Sequence, residues 1–347
     1  MEALTWFRRV FWVGPLLAAL MVACGESGPE PVETPRPDRV LAEVAWDTVF
    51  HLQVPVEDTL LYAADQVLGS EEGLWVLDRI GHRVAHLGWD GALRWYAGRQ
   101  GEGPGELLNP QLISLDDHGR IWVVDHGTGR ISGFDRSGIL HAEVPLLDTQ
   151  GALALFVASG SGERFLGMNF TEELRPMMVD RSGRASEGRA LSVPDAEGAW
   201  GFALQGRVAR EPDGDRWVYA FSSGDGMFRM EGVEPMGGRI RYPEAIPFPR
   251  MIEEVEVVGE QTSTTRRLDA PNFSGRGVAV AQARILVHFM GETPEQGRIL
   301  DLYDFASGAY ERSVLLPRYG QMSAWEDRVL LAINDPTPEI LVLRMVE

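Results

Sequence analysis

The sequence predicts an all-β fold, and three observations carry that expectation. First, two stretches repeat at a fixed spacing: LWVLDRIGHRVAHLGWDG at 74–91 and IWVVDHGTGRISGFDRSG at 121–138. Trp75 and Trp122, Asp78 and Asp125, Arg83 and Arg130, Val84 and Ile131, Leu87 and Phe134, and Gly91 and Gly138 are each 47 residues apart. A fixed period in this range marks a stacked or radial repeat. Second, each unit reads as short alternating runs of Trp, Val and Ile bounded by Gly and Asp, which is a strand pattern. Third, a spare strand-like segment, TVFHLQV at 48–54, precedes the first unit, while the last unit runs out after its third strand. Six units of about fifty residues, each with four short strands, describe a six-bladed β-propeller with four-stranded antiparallel blades. The spare strand then closes the last blade, and no long sheet edge is left open.

The elements follow in chain order. Residues 1–23 read as a signal peptide: Arg8 and Arg9 precede an apolar run from Val10 to Ala23. That run suits a secretory core better than a membrane span, which needs about 20 apolar residues. It ends in Leu20-Met21-Val22-Ala23-Cys24-Gly25, which resembles the lipobox of bacterial lipoproteins. The resemblance implies lipidation of Cys24, such as palmitoylation, and with Gly25 next it implies sorting toward the outer membrane. A cut secretory peptide and an uncleaved anchor helix are the alternatives. Cys24 is the chain's single cysteine, so an exported protein of this kind forms no internal disulfide. Residues 24–39 then read as a lipidated, disordered tether, because GESGPEPVETPRPDR has little apolar surface to bury.

The body, 40–347, carries the repeat. Weaker copies follow the first two units at 164–183, 216–232, 284–308 and 328–346. Between the fourth and fifth units lies an insertion, 251–271, whose halves EEVEVV and TTRRL suggest an extra β-hairpin. Its acidic arm (Glu253, Glu254, Glu256) faces a basic one (Arg266, Arg267), which cross-strand charge pairing explains. A docking role for the hairpin stays open.

The stretch GRQGEGPGELLNP, 98–110, invites a phosphate-loop reading and fails it. A dinucleotide fingerprint needs a third glycine and a following helix, but the third position is Glu106 and the next segment reads as a strand. A phosphate would meet Glu102 and Glu106 there. In a propeller this stretch is instead the link from the outer strand of one blade to the inner strand of the next. Glycines provide the positive φ such a link needs.

The run GRQGEGPGEL at 98–107, then GRIWVVD at 119–125, then RISGFDRSG at 130–138, resembles the bacterial six-bladed propeller lipoproteins of the NHL-like superfamily. The resemblance is specific over 73–138 and architectural beyond 150. It implies a fold and an envelope address rather than a reaction.

Chemistry is sparsely signalled. His82 and His86 would lie roughly 13 Å apart on a strand, too far to share an ion. The seven histidines include no HExxH, and no GxSxG elbow occurs. Glu102, Glu106, Asn109, Asp125, Asn169 and Asn334 are candidates for a channel metal of the kind lactonase-type propellers use. Arg99, Asp78, Arg83, His126 and Arg130 join Glu102, Glu106, Asn109 and Asp125 as candidate ligand-binding residues on the link side, the top face. For the recurring Asp and Arg the alternative is structural: Asp takes turn N–H groups and Arg pairs beside it. Trp75, Trp122 and Trp217 read as packing between blades.

A net charge of −19 argues against nucleic acid, and no nucleotide motif is present. The expected function is a membrane-anchored, non-catalytic binding module, monomeric and without a cofactor. It would present its top face to a protein, peptide or glycan in the bacterial cell envelope. The alternative is a calcium- or zinc-dependent hydrolase or lyase with its site at the channel mouth.

Overall fold

The computed structural model describes residues 33–55, 57–146, 154–171, 173–196, 199, 201–212, 214–258, 261–269 and 273–346. The expected signal peptide, Cys24 and the start of the tether lie outside these residues. The described chain is almost wholly β, with one short 3-10 turn at Gly201–Leu204.

Strand β1 (Ala45–Gln53) opens the sheet architecture and waits for a partner from the far end of the chain. Four consecutive strands then form a first sheet: β2 (Gln66–Ser70), β3 (Gly73–Asp78), β4 (Arg83–Leu87) and β5 (Leu93–Ala97). A second repeats it with β6 (Pro110–Leu115), β7 (Ile121–Asp125), β8 (Arg130–Phe134) and β9 (Leu140–Pro145). The third holds β10 (Ala154–Ala158), β11 (Arg164–Asn169), β12 (Arg175–Asp180) and β13 (Ala185–Glu187). The fourth holds β14 (Gly206–Arg210), β15 (Arg216–Phe221), β16 (Met227–Glu231) and the very short β17 (Glu234–Pro235). A separate hairpin, β18 (Met251–Val258) with β19 (Gln261–Leu268), fills the insertion expected from the sequence. The fifth sheet holds β20 (Gly275–Ala281), β21 (Arg284–Phe289), β22 (Ile299–Asp304) and β23 (Tyr310–Leu315). The sixth holds β24 (Gln321–Trp325), β25 (Arg328–Asn334) and β26 (Pro338–Val346), and its fourth strand is β1. Thr48 lies opposite Leu343 and Leu52 opposite Ile340, all antiparallel.

The first strands of the sheets touch in turn: β2 against β6, β6 against β10, β10 against β14, β14 against β20, β20 against β24, and β24 against β2. Apolar side chains fill the seams. Trp75, Leu77, Ile113 and Val123 join the first two sheets, and Leu330, Val342, Val67 and Val76 join the sixth to the first. Each such fully buried side chain stabilises the fold by about 1.5–3 kcal/mol. Trp122 and Trp217 are wholly buried, and Trp122 meets Phe165 of the third sheet edge-on at 5.0 Å. The packing role read for these tryptophans is what the structure contains.

The link at 98–109 folds back on itself. Leu107 donates its N–H to Arg99 O at 2.8 Å, and its side chain is buried in the seam between the first two sheets. Gly105 sits at φ 71°, and at Gly101 (φ 155°) an added Cβ would meet the Glu106 carboxylate at 2.1 Å. Only glycine fits both demands.

One expectation is corrected. Residues 33–39 do not hang free as a disordered tether; they form a strap bound to the fourth and fifth sheets. Arg36 grips Asp225 through two hydrogen bonds of 3.2 and 2.6 Å and donates to Tyr242 O at 2.8 Å. Arg39 pairs with Asp301 and Glu244 at 2.9 and 3.2 Å. Glu33 accepts from Arg239 and Arg241. The reason is charge matching: the strap has little apolar surface, but Glu33, Arg36 and Arg39 each meet a fixed opposite charge.

Candidate functional site

The recurring Asp and Arg residues fasten links to sheets. Asp78, wholly buried, accepts N–H groups from Tyr62 (3.1 Å), Ala63 (3.2 Å) and Gly81 (2.8 Å), and the Arg83 Nε–H at 3.0 Å. Arg83 also donates to Thr59 O and Leu60 O. One repeat later, Asp125 accepts from Leu108 N, Asn109 N and Thr128 N, and Arg130 donates to Glu102 O and Gly103 O. The two pairs do the same job 47 residues apart, tying down the chain that leads into β2 and into β6.

Of the other sequence candidates, Glu106 and Asn109 are engaged within the loop. Glu106 accepts the Gly103 N–H at 2.8 Å and pairs with Arg99 at 2.7 Å. The Gly103 bond, then the Arg99 partner, hold its carboxyl below the usual range. Asn109 accepts from Gln111 at 2.6 Å. Glu102 and His126 are exposed. Asn169 binds Glu187 in the third sheet, and Asn334 exchanges two hydrogen bonds with Ala64. The channel-metal candidates are thus spread over three sheets. Among the described residues, no three of His, Cys, Asp and Glu come together as a metal-holding group.

The structure draws attention instead to the axis between the first strands. At the end carrying the turns after β2, β6 and β14 lies a chamber of about 480 Å³. Its walls include Leu68, Trp75, Val157, Val208, Val280 and Trp325. Most of its charged groups are paired: Glu72 with Arg136, Asp117 with Arg210, and Asp116 with Arg120. Toward the link side the axis narrows to a neck of about 80 Å³, lined by Asp65, Gln66, Gln111, Arg207, Arg276 and Gln321 among others.

The neck holds unsatisfied cations. The Arg207 side chain makes no hydrogen bond or ion pair among the described residues, and its Nε is sealed from solvent without a partner. Burial pulls its pKa below the ordinary arginine value, and the charges of Arg276 and Arg79 add to the fall. Arg276 sits at the β-bulge between Gly275 and Gly277, where its guanidinium lies 4.8 Å from the Tyr319 ring. A second bulge, between Pro110 and Leu112, holds Gln111. Bulges re-aim side chains and often lie beside functional sites. Arg79 donates to Pro110 O at 3.1 Å, and its backbone N–H goes to Asp65 at 2.9 Å. Burial raises the Asp65 carboxyl above its usual value. Sequence reasoning missed this cluster. The available signal was a Gly-Arg opening to the first strand in both the fourth and fifth units, Gly206-Arg207 and Gly275-Arg276.

No family model matches the chain. A 57-residue stretch is 37% identical to NHL repeat-containing protein 3 of Homo sapiens, covering 16% of this chain and 16% of that one. The Mus musculus protein of the same name matches at 35% over 57 residues. Among solved structures, virginiamycin B lyase from Staphylococcus aureus superposes with a TM-score of 0.51 at 11% identity, over 88% of this chain and all of that one. A protein of unknown function from Bacteroides thetaiotaomicron reaches 0.57 at 10% identity, over 88% of this chain and 77% of the other.

The fold is a β-propeller, and one 57-residue stretch of its sequence is similar to an NHL repeat protein. The two faces of the propeller differ in what they expose. Tyr62, Ile80, Phe202, Phe273 and Tyr319 are between 40% and 67% exposed. All five come from the link side: from the chain entering β2, the β3–β4 turn, and the chain entering β14, β20 and β24. Sequence reasoning chose this face by its charged residues. The structure commits several of those internally and leaves apolar ones outside.

Proposed function

We propose that this protein is a closed six-bladed propeller, fixed to a bacterial envelope membrane by a lipid on Cys24, that binds a partner on its link-side face without catalysis. The partner is a protein, or a peptide or glycan chain. Closure is supported by β1 lying beside β26 and by β24 touching β2. The observation that carries the binding role is the set of five exposed apolar side chains gathered from five different connections onto one face. Exposed aromatic and apolar side chains are favoured anchors at protein-interaction surfaces. The strong negative charge of the chain disfavours an anionic bilayer as the occupant of that face.

Recovery of partners from solubilised envelope tests the reading. Wild-type protein is expected to retain a partner that a Tyr62→Ser, Phe273→Ser, Tyr319→Ser triple variant loses. An Ile139→Ser variant, altered on the opposite face, should keep it. Equal recovery by all three, or measurable turnover of a small molecule in place of a partner, sinks the proposal. The address is tested separately: Cys24→Ser is expected to move the protein from the membrane to the soluble fraction and to abolish labelling by palmitate.

The chamber of about 480 Å³ favours a second reading, since small-molecule sites commonly measure 300–1,000 Å³. The alternative, a divalent-metal hydrolase or lyase, would take its substrate there, but among the described residues no metal-holding group is gathered to serve it. Elemental analysis of purified protein decides: stoichiometric calcium or zinc would support the enzyme.

A further inference from the structure

We propose that the axial neck is a binding site for a small oxyanion, a carboxylate or a phosphate group, held by Arg207 and Arg276 with Arg79 behind them. Three guanidinium groups share this neighbourhood with the carboxylate of Asp65. Asp65 takes a backbone N–H from Arg79, and it makes no ion pair with Arg207 or Arg276 among the described residues. The other polar groups of the neck are amides. Gln66 is spent on the backbone of Ile113, and Gln111 bonds Asn109 and accepts from Arg79. Among the described residues, no side chain neutralises Arg207.

A half-buried guanidinium whose Nε is sealed without a partner is costly to keep. An anion in the neck removes that cost, because guanidinium groups bond both oxygens of an oxyanion at once. Space agrees with the chemistry: the neck, of about 80 Å³, has room for a small oxyanion. The surroundings agree as well. Tyr319, one of the five exposed apolar residues, stacks under Arg276, so the neck opens within the proposed partner face. The inference deepens that reading by naming the chemistry of the partner's contact group: an acidic side chain, a chain-terminal carboxylate or a phosphate. The site itself is built from the neck alone.

Titration calorimetry on the whole mature protein tests it, using sodium acetate and, separately, sodium phosphate at constant pH and low chloride. One saturable event at one anion per chain is expected. Acetate alone binding identifies the carboxylate class, and phosphate alone the phosphate class. Arg276→Gln and Arg207→Gln should each weaken binding at least tenfold. Added anion should raise the thermal midpoint of the wild type and leave that of Arg207→Gln unchanged. A merely structural Arg207 would show no such anion dependence in either protein. Absence of saturable binding by both anions, or unchanged affinity in both variants, overturns the site. Free-anion binding without any recovered partner would leave the site standing and remove the partner-presenting function, so the two failures are distinguishable.

Discussion

Asp78 is a single carboxylate that organises an entire link. It is wholly buried and takes four donors, three from backbone and one from Arg83. Asp78→Ala orphans those donors and the Arg83 charge together, so a loss of about 3–5 kcal/mol is expected in urea unfolding. Asp78→Asn keeps one acceptor oxygen and should cost less, about 1–3 kcal/mol. Asp301 offers a test by pH. Burial raises its carboxyl from 3.8 to about 6, against the opposing pull of Arg39 and Ser313. Between those two values the folded chain holds a proton that the unfolded chain releases. The group's stabilising contribution is therefore full below the window and declines as pH rises through it, by at most about 3 kcal/mol. Comparing unfolding free energies at pH 4.5 and 7 should reveal this decline in the wild type, and a smaller one in Asp301→Asn. At this scale, legibility followed repetition. Asp78 and Asp125 could be read as turn acceptors because they recur in register. Arg207 and Arg276 could not, since an alternating strand looks the same whether its polar side faces solvent or a closed axis.

Among the elements, the hairpin and the strap make a contrast. The hairpin was legible because its two halves alternate and carry opposite charges, and β18 pairs with β19 as that pattern implies, with Arg267 reaching Glu254 at 2.9 Å. The strap was misread because composition reports only what a segment can bury, not which fixed charges await it. Residues 33–39 present an acid and two arginines at three-residue spacing. Their counter-charges Asp225, Asp301 and Arg239 are nearly or fully buried in the body and remote in sequence. No local pattern announces such a match. Replacing Arg36 and Arg39 together by Ala should release the strap, seen as faster protease cleavage within 33–41 with the body left intact. A cleavage rate equal to the wild type would show that the ion pairs do not hold it.

At the level of the whole molecule, the six four-stranded sheets follow from the 47-residue spacing, because a buried Trp and a link-binding Asp recur wherever a unit is well preserved. Of the later units the fourth keeps the buried Trp, at Trp217, and the others were traceable only as paired apolar runs. The axis left no trace in the spacing at all: its neck and chamber arise where first strands from distant units meet. The proposed closure makes its own prediction. A chain starting at residue 40 should stay folded, whereas one starting at residue 54 lacks β1 and exposes the whole outer edge of β26. An unpaired edge of that length invites association, so size-exclusion chromatography should show aggregates or an unfolded chain for the second protein alone.

Strap and seam also lie in series along the backbone. A pull applied upstream of Glu33 reaches the ion pairs of Glu33, Arg36 and Arg39 before it reaches β1. Those contacts can yield one after another, while β1 is bonded along its length to β26. Tugging on the head of this chain therefore spends a renewable fuse first, and the sheet beyond it feels the load only after the slack has been taken up.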